Sequence, residues 1–190
     1  LVIGHKGHPE VEGTCGHAAG AVQVISSPEE AATVQVTDPA KVGCVTQTTL
    51  SIDDTEKILA VIRQRLPDIT EPKRTDICFA TTNRQKAVRR LADMTELLLV
   101  VGSKNSSNSN RLREVAAAQG TAAHLIDDAS EINPSWLSGI QRIGLTAGAS
   151  APEHLVQATV AWLRRQGAAT VREMAGETEK VFFQLPDIEL

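Results

Sequence analysis

A parallel α/β fold is predicted by three features of the chain. Short runs of β-branched and other apolar residues alternate with amphipathic stretches of helical period along its whole length. One run, Leu97–Val101 (LLLVV), is apolar at every position and reads as a buried strand. Four strand ends, TQTTLS, ATTNR, GSKNSSNSNR and TAGASAPE, carry small hydroxyl or amide residues ahead of a predicted helix. Alone, each of these reads as a helix cap. Four at the same topological position predict several loops converging on one polar ligand beyond the carboxyl ends of the strands.

The elements follow in order. Leu1–Gly4 reads as the middle of a buried strand with neither Met nor a preceding element, so an N-terminal part of the protein is expected before it. A Gly/His-rich turn follows, in which Pro9 and the glycines Gly4, Gly7 and Gly13 argue against a helix. Ala21–Ile25 and Thr33–Thr37 are strand-like and are separated by a helix start, with Ser27 before Pro28 and Glu30 three residues on. Lys41–Thr46 is the next strand. Ser51 opens a helix with Asp53, Asp54 and Glu56 in its first turn, where the dipole favours acids, and with Ile58, Leu59, Ile62 and Leu66 on its apolar face. Pro67–Thr75, with two prolines among charged residues, is the linker candidate.

Beyond it come a strand, Ile77–Ala80, and a helix with Val88, Leu91 and Met94 on one face. The Leu97–Val101 strand, its polar turn and a helix, Leu112–Gln119, are followed by Gly120 as a C-cap. Ala123–Ile126 is a strand, Pro134–Leu137 a short helix, Arg142–Thr146 a strand, and Pro152 starts a helix that runs through Arg165. Ala169–Met174 is a last strand and Val181–Leu185 belongs to a tail. The expected division is residues 1–73 as one α/β unit, 74–165 as a second, and 166–190 as a C-terminal strand and tail.

Composition narrows the function classes. A chain of 190 residues, 42% apolar and 22% charged, has an ordinary globular make-up. The net charge of −4 and the scattered basic residues argue against a general nucleic-acid binder. No apolar run approaches the ~20 residues of a membrane span. Three widely spaced cysteines, Cys15, Cys44 and Cys78, form neither a disulfide framework nor a CxxC zinc pair, and predict a reducing compartment.

Two stretches hold the candidate chemistry. His5, His8 and Glu10 sit in one strand-end loop, a usual place for acid–base work, although HxxHxE also admits a metal site. The turn Gly102–Arg111 has the arrangement of strand, polar turn and helix that presents N–H groups and hydroxyls to an anion, with Ser106, Ser107 and Asn108 there and Ser150 in the last such loop. Either Ser107 or Ser109 is expected to be the helix N-cap. Neither GxxxxGK[ST] nor a strand-borne GxGxxG is present, so a nucleotide site of either kind is not indicated. Cys78, at the end of an apolar strand, reads first as a buried small hydrophobe and second as a thiolate ligand at the edge that carries the polar loops.

Taken together, GHKGHPEVEGT, TQTTLS, DICFATTNRQ, VVGSKNSSNSNRL, LIDD and TAGASAPE closely resemble the 4-hydroxy-3-methylbut-2-enyl diphosphate reductases of the LytB/IspH family, in order and across nearly the whole chain. The resemblance implies a reductive dehydroxylation that yields isopentenyl and dimethylallyl diphosphate in the non-mevalonate pathway, in a bacterial cytoplasm or plastid stroma. It implies a trefoil-like fold of three similar α/β units, two of them present here. It implies a 4Fe-4S cluster held by three cysteines and reduced by ferredoxin or flavodoxin. By motif, Cys78 is one cluster ligand, Glu10 the proton donor, His8 its neighbour in the proton network and Thr48 a hydrogen-bonding partner near Glu10. Ser106, Asn108 and Ser150 bind the diphosphate, with Ser107 assisting. The family's two other cluster cysteines and two diphosphate-binding histidines fall before Leu1, and Cys15 and Cys44 match no ligand position. The 190 residues alone are therefore expected to hold no stable cluster and to be inactive. Two other readings remain open: a non-catalytic diphosphate-binding fragment, and a zinc hydrolase built on His5, His8 and Glu10.

Overall fold

Two three-stranded parallel sheets organise the chain in a computed structural model that describes residues 1–18, 20–72 and 75–176. The first contains β1 (Val2–Ile3), β2 (Val24–Ile25) and β3 (Val45–Thr46) in the order β2-β1-β3. The second contains β4 (Leu97–Val101), β5 (Ala122–Ile126) and β6 (Ile143–Ala147) in the order β5-β4-β6. The predicted parallel α/β class is thus observed, with the same topology twice: the first strand lies in the middle and the next two flank it. Ile3 registers with Ile25 and Thr46, and Leu99 with His124 and Leu145.

Helices α1 (Pro9–His17), α2 (Pro28–Thr33) and α3 (Ile52–Arg65) accompany the first sheet. α4 (Phe79–Met94), α5 (Ser107–Ala118) and α6 (Glu153–Arg165) accompany the second. Alternation along β4 divides its side chains between two cores. Leu98 and Val100 pack with Val88, Ala92, Leu112 and Val115 of α4 and α5, whereas Leu97, Leu99 and Val101 pack with Ile126, Ile132 and Leu163 on the α6 side. The first sheet has one core, in which Ile3 and Ile25 meet Ala31 of α2, Ile58 and Ile62 of α3, and Ile77 from beyond the linker.

Several elements differ from the sequence expectation, each for a visible reason. The turn after β1 is a helix. Pro9 occupies its first position, where a missing N–H costs no bond, and of the three glycines only Gly13 lies within the helix, Gly4 and Gly7 preceding it. Thr33–Thr37 is not a strand: Thr33 ends α2 with its hydroxyl donating back to the Glu29 and Glu30 carbonyls, and the Gln35 carbonyl accepts from the Gln23 side chain. Ile77–Ala80 is not a strand either. Cys78 is the N-cap of α4, whose buried stripe is Thr81, Gln85, Val88 and Ala92. Ala169–Met174 is irregular: Gly167, at φ +105°, turns the chain after α6, and Val171 is half exposed with no sheet to join. Val181–Leu185, and Lys73 and Arg74 of the linker candidate, lie outside the described residues.

Candidate active site

The candidate residues lie on loops after β1, β3, β4 and β6 and at the starts of α1, α4 and α5. At α1, the His8 ring caps the helix, its Nδ1 accepting the Glu10 backbone N–H at 3.2 Å. With Nδ1 used as an acceptor, the neutral imidazole carries its proton on Nε2. That nitrogen lies 2.7 Å from Ser107 Oγ, to which it donates across a sequence separation of 99 residues. The Glu10 carboxylate turns the other way: Oε1 accepts the backbone N–H of Thr48 at 2.8 Å. The Thr48 carbonyl in turn accepts the backbone N–H of Cys78 at 3.2 Å.

Cys78 is exposed, contrary to its first reading as a buried hydrophobe, because Sγ serves as the cap acceptor of α4. It accepts the Thr81 N–H at 3.4 Å and lies 3.0 Å from Thr81 Oγ1. Ser107, His8, Glu10, Thr48 and Cys78 therefore form one connected chain of hydrogen bonds.

At the N-terminus of α5 the cap is Ser106, not Ser107 or Ser109. Half of the predicted polar turn is thus the first helical turn, since the small polar residues Ser107–Asn110 continue the helix once Ser106 has closed its end. Asn108 is 7% exposed, and neither Oδ1 nor Nδ2 has a hydrogen-bond partner. Buried amides are normally satisfied, so both polar atoms of Asn108 are open to a water or a ligand. Ser150 is exposed on the loop after β6, and the Gly148 N–H of that loop donates to the Val101 carbonyl at 2.9 Å, which brings the loop to the end of β4.

His5 does not join His8 and Glu10. Its Nε2 accepts from the Arg111 guanidinium at 3.0 Å, and Arg111 also pairs with Glu114 at 2.8 Å and Asp54 at 3.6 Å. Burial, and then the Arg111 charge, lower the His5 pKa below 6.5, which suits a neutral acceptor. Each of His5, His8 and Glu10 faces a different partner, and among the described residues no three His, Cys, Asp or Glu side chains are placed to share a metal ion. The three side chains of the zinc-hydrolase reading therefore do not converge in this structure.

The cysteines are equally separate. Cys44 is buried, and burial pushes its thiol up to about 11, so it is a poor thiolate donor, while Cys15 lies on α1. Cys78 alone offers an open sulfur beside the hydrogen-bonded chain and fits one ligand position of a cluster, not the whole set.

Sequence reasoning missed two supports. Gln47, 2% exposed, accepts the His5 N–H at 3.1 Å and donates to Thr49 Oγ1 at 3.0 Å, holding both loops in place. Gln85, fully buried on α4, accepts the Ile52 N–H at 3.2 Å and donates to the Leu50 carbonyl at 2.7 Å. The available signal for Gln85 was a polar residue on the apolar stripe of its own helix.

Residues 1–164 match a family model described as LytB protein. The 4-hydroxy-3-methylbut-2-enyl diphosphate reductase of Bordetella pertussis is 56% identical over 186 residues, 98% of this chain and 57% of the relative. That of Desulfotalea psychrophila is 54% identical over 184 residues, 97% of this chain and 58% of the relative. The chain thus spans somewhat more than half the length of these curated relatives. Among solved structures, the E-1-hydroxy-2-methyl-but-2-enyl-4-diphosphate reductase from Plasmodium falciparum superposes with a TM-score of 0.81 at 32% identity, over 85% of this chain and 51% of that one.

Proposed function

The chain belongs to the LytB family, and on that premise we propose that it carries the acid–base and anion-binding part of a 4-hydroxy-3-methylbut-2-enyl diphosphate reductase. The overall change adds two electrons and two protons to an allylic alcohol, breaks its C–O bond and releases water. The observation that carries this reading is the connected chain of hydrogen bonds through Ser107, His8, Glu10, Thr48 and Cys78. It gathers a proton donor, its support and a thiol from segments far apart in sequence.

Each residue has a role in this reading. Glu10 delivers a proton to the departing hydroxyl, so that water rather than hydroxide leaves. The Thr48 N–H fixes the carboxylate that holds this proton, and His8, clamped between the Glu10 backbone and Ser107, orders the network around it. Ser106, Ser107, Asn108 and Ser150 grip the diphosphate through neutral donors and the positive end of α5, which keeps the inert end of the substrate fixed while its other end reacts. Cys78 would supply one of the thiolates that hold a 4Fe-4S cluster. Such a cluster supplies electrons and a Lewis-acidic iron. Its remaining ligands, and the rest of the diphosphate site, would then belong to the part of the relatives' length that this chain does not cover. The chain then represents two of three similar units, divided at residues 73 and 165, with ferredoxin or flavodoxin as donor in a bacterial cytoplasm or plastid stroma. Among the described residues no helix is long and apolar enough to cross a membrane.

Glu10→Gln in the full-length protein is the test. It keeps the Thr48 contact and removes the proton, so turnover should fall by about 100-fold or more with substrate binding retained. Near-normal turnover would remove Glu10 from the proton-donor role.

A further inference from the structure

The anchor at α5 contains a buried hydroxyl to which the proposed reaction gives no part. Ser109 is 1% exposed, and its Oγ sits between the backbones of Gly102, at the end of β4, and Gly148, after β6. A Cβ on either glycine would collide with that oxygen, so the two strand ends close around it. Ser109 gives Ser106 two hydrogen bonds: its N–H donates to Ser106 Oγ at 3.2 Å, and its hydroxyl donates to the same oxygen at 3.0 Å. The first is the ordinary capping bond. Capping does not require the second.

A serine oxygen has two lone pairs and one proton. With both lone pairs engaged, Ser106 has only its O–H left to offer. We propose that Ser109 is a positioning residue that makes Ser106 a dedicated hydrogen-bond donor toward the diphosphate. Without it, one Ser106 lone pair is free to face the anion, and the hydroxyl rotates among states of which only some donate. Asn108 supports a polyanion at this place independently: it is the next residue but one, it is buried, and its amide has no partner. The Gly102–Ser109–Gly148 contact makes the orientation a property of the sheet, because moving either strand end moves the hydroxyl that sets Ser106.

The inference rests on the diphosphate reading of this turn, and a double-mutant cycle in the holoenzyme separates the two. Ser109→Ala keeps the backbone cap and fits between the glycines. It should raise the KM for the allylic diphosphate and the inhibition constant of inorganic pyrophosphate about fivefold each, the worth of one hydrogen bond, with kcat within about twofold. In a Ser106→Ala background the same substitution should change neither constant. A Ser109→Ala enzyme with unchanged constants would overturn the proposal, as would an equal loss in the Ser106→Ala background, which would make Ser109 a packing residue. If Ser106→Ala alone leaves both constants unchanged, the anchor reading fails and takes the proposal with it.

Discussion

The two sheets share one topology and differ in how they are held. In the second, five-residue strands pair along their full length, and all five side chains of β4 are buried between two helical layers. In the first, every strand has two residues. Its pairing is extended by side chains: Asp76 Oδ2 accepts the Thr46 N–H at 2.8 Å, Gln47 ties the β1 and β3 loops, and Arg65 donates to the Ala31 and Val34 carbonyls. In both sheets, the loops that carry candidate residues follow the central strand and the flanking strand that comes last in sequence, β1 and β3 or β4 and β6. The crevice at a reversal of strand order is where such sheets bind ligands. The comparison teaches that the ladder can shrink to two residues where loop side chains replace it, and the short sheet is the one that presents Glu10, His8 and Thr48.

That contrast can be broken most sharply at the cores. Leu99→Ala, at a fully buried centre of β4, should cost about 4 kcal/mol in denaturant unfolding of the chain. Ile3→Ala, equally buried in β1, should cost about 3 kcal/mol, because the paired strands around the cavity are only two residues long. A larger loss at Ile3 would mean that the short sheet is the stronger one.

The next effect tests whether borrowed side chains hold the first unit. Gln85→Ala leaves the Ile52 N–H and the Leu50 carbonyl without their partner and should cost about 2 kcal/mol. A near-neutral result by the same measurement would assign that support to the sheet itself.

The smallest effect concerns pH. The folded chain holds His5 below its ordinary 6.5, first by burial and then through Arg111, while the unfolded chain protonates near 6.5. Between those values the unfolded state binds more protons, so the His5 contribution is intact above pH 6.5 and declines as pH falls through the window beneath it. His5→Gln should flatten that slope in stability measured from pH 7.5 to 5.5, a range chosen to bracket the ordinary histidine value. An unchanged slope would remove His5 from the link between the two units.

The second sheet was the more legible in the sequence, since LLLVV admits little but a buried strand and its neighbours follow at ordinary spacing. The first was less so: two-residue strands carry almost no period, and Thr33–Thr37 has strand composition without a partner to pair with. Pro9 misled because its cost depends on position within a helix, and at the first position it is small. Cys78 was read as a strand residue because DICFA looks apolar, whereas the helical period that decides the matter begins at Thr81. The loop motifs fall at strand ends and helix starts in the structure, but their side-chain directions were not legible. Nothing in the spacing of His5 and His8 says that one turns to Arg111 and the other to Ser107.

Thr48 holds two groups with one residue's backbone. Its N–H faces Glu10 and its carbonyl faces the Cys78 N–H, so the carboxylate and the backbone N–H of Cys78 are two hydrogen bonds and a single α-carbon apart. The side chain of residue 48 is free to vary without touching either link. A proline there would sever the Glu10 link outright, because it has no N–H to donate. A displacement of Cys78 along its helix must be followed by Glu10 or break a bond. The arrangement ties the backbone of residue 78, and not its sulfur, to the Glu10 carboxylate through Thr48.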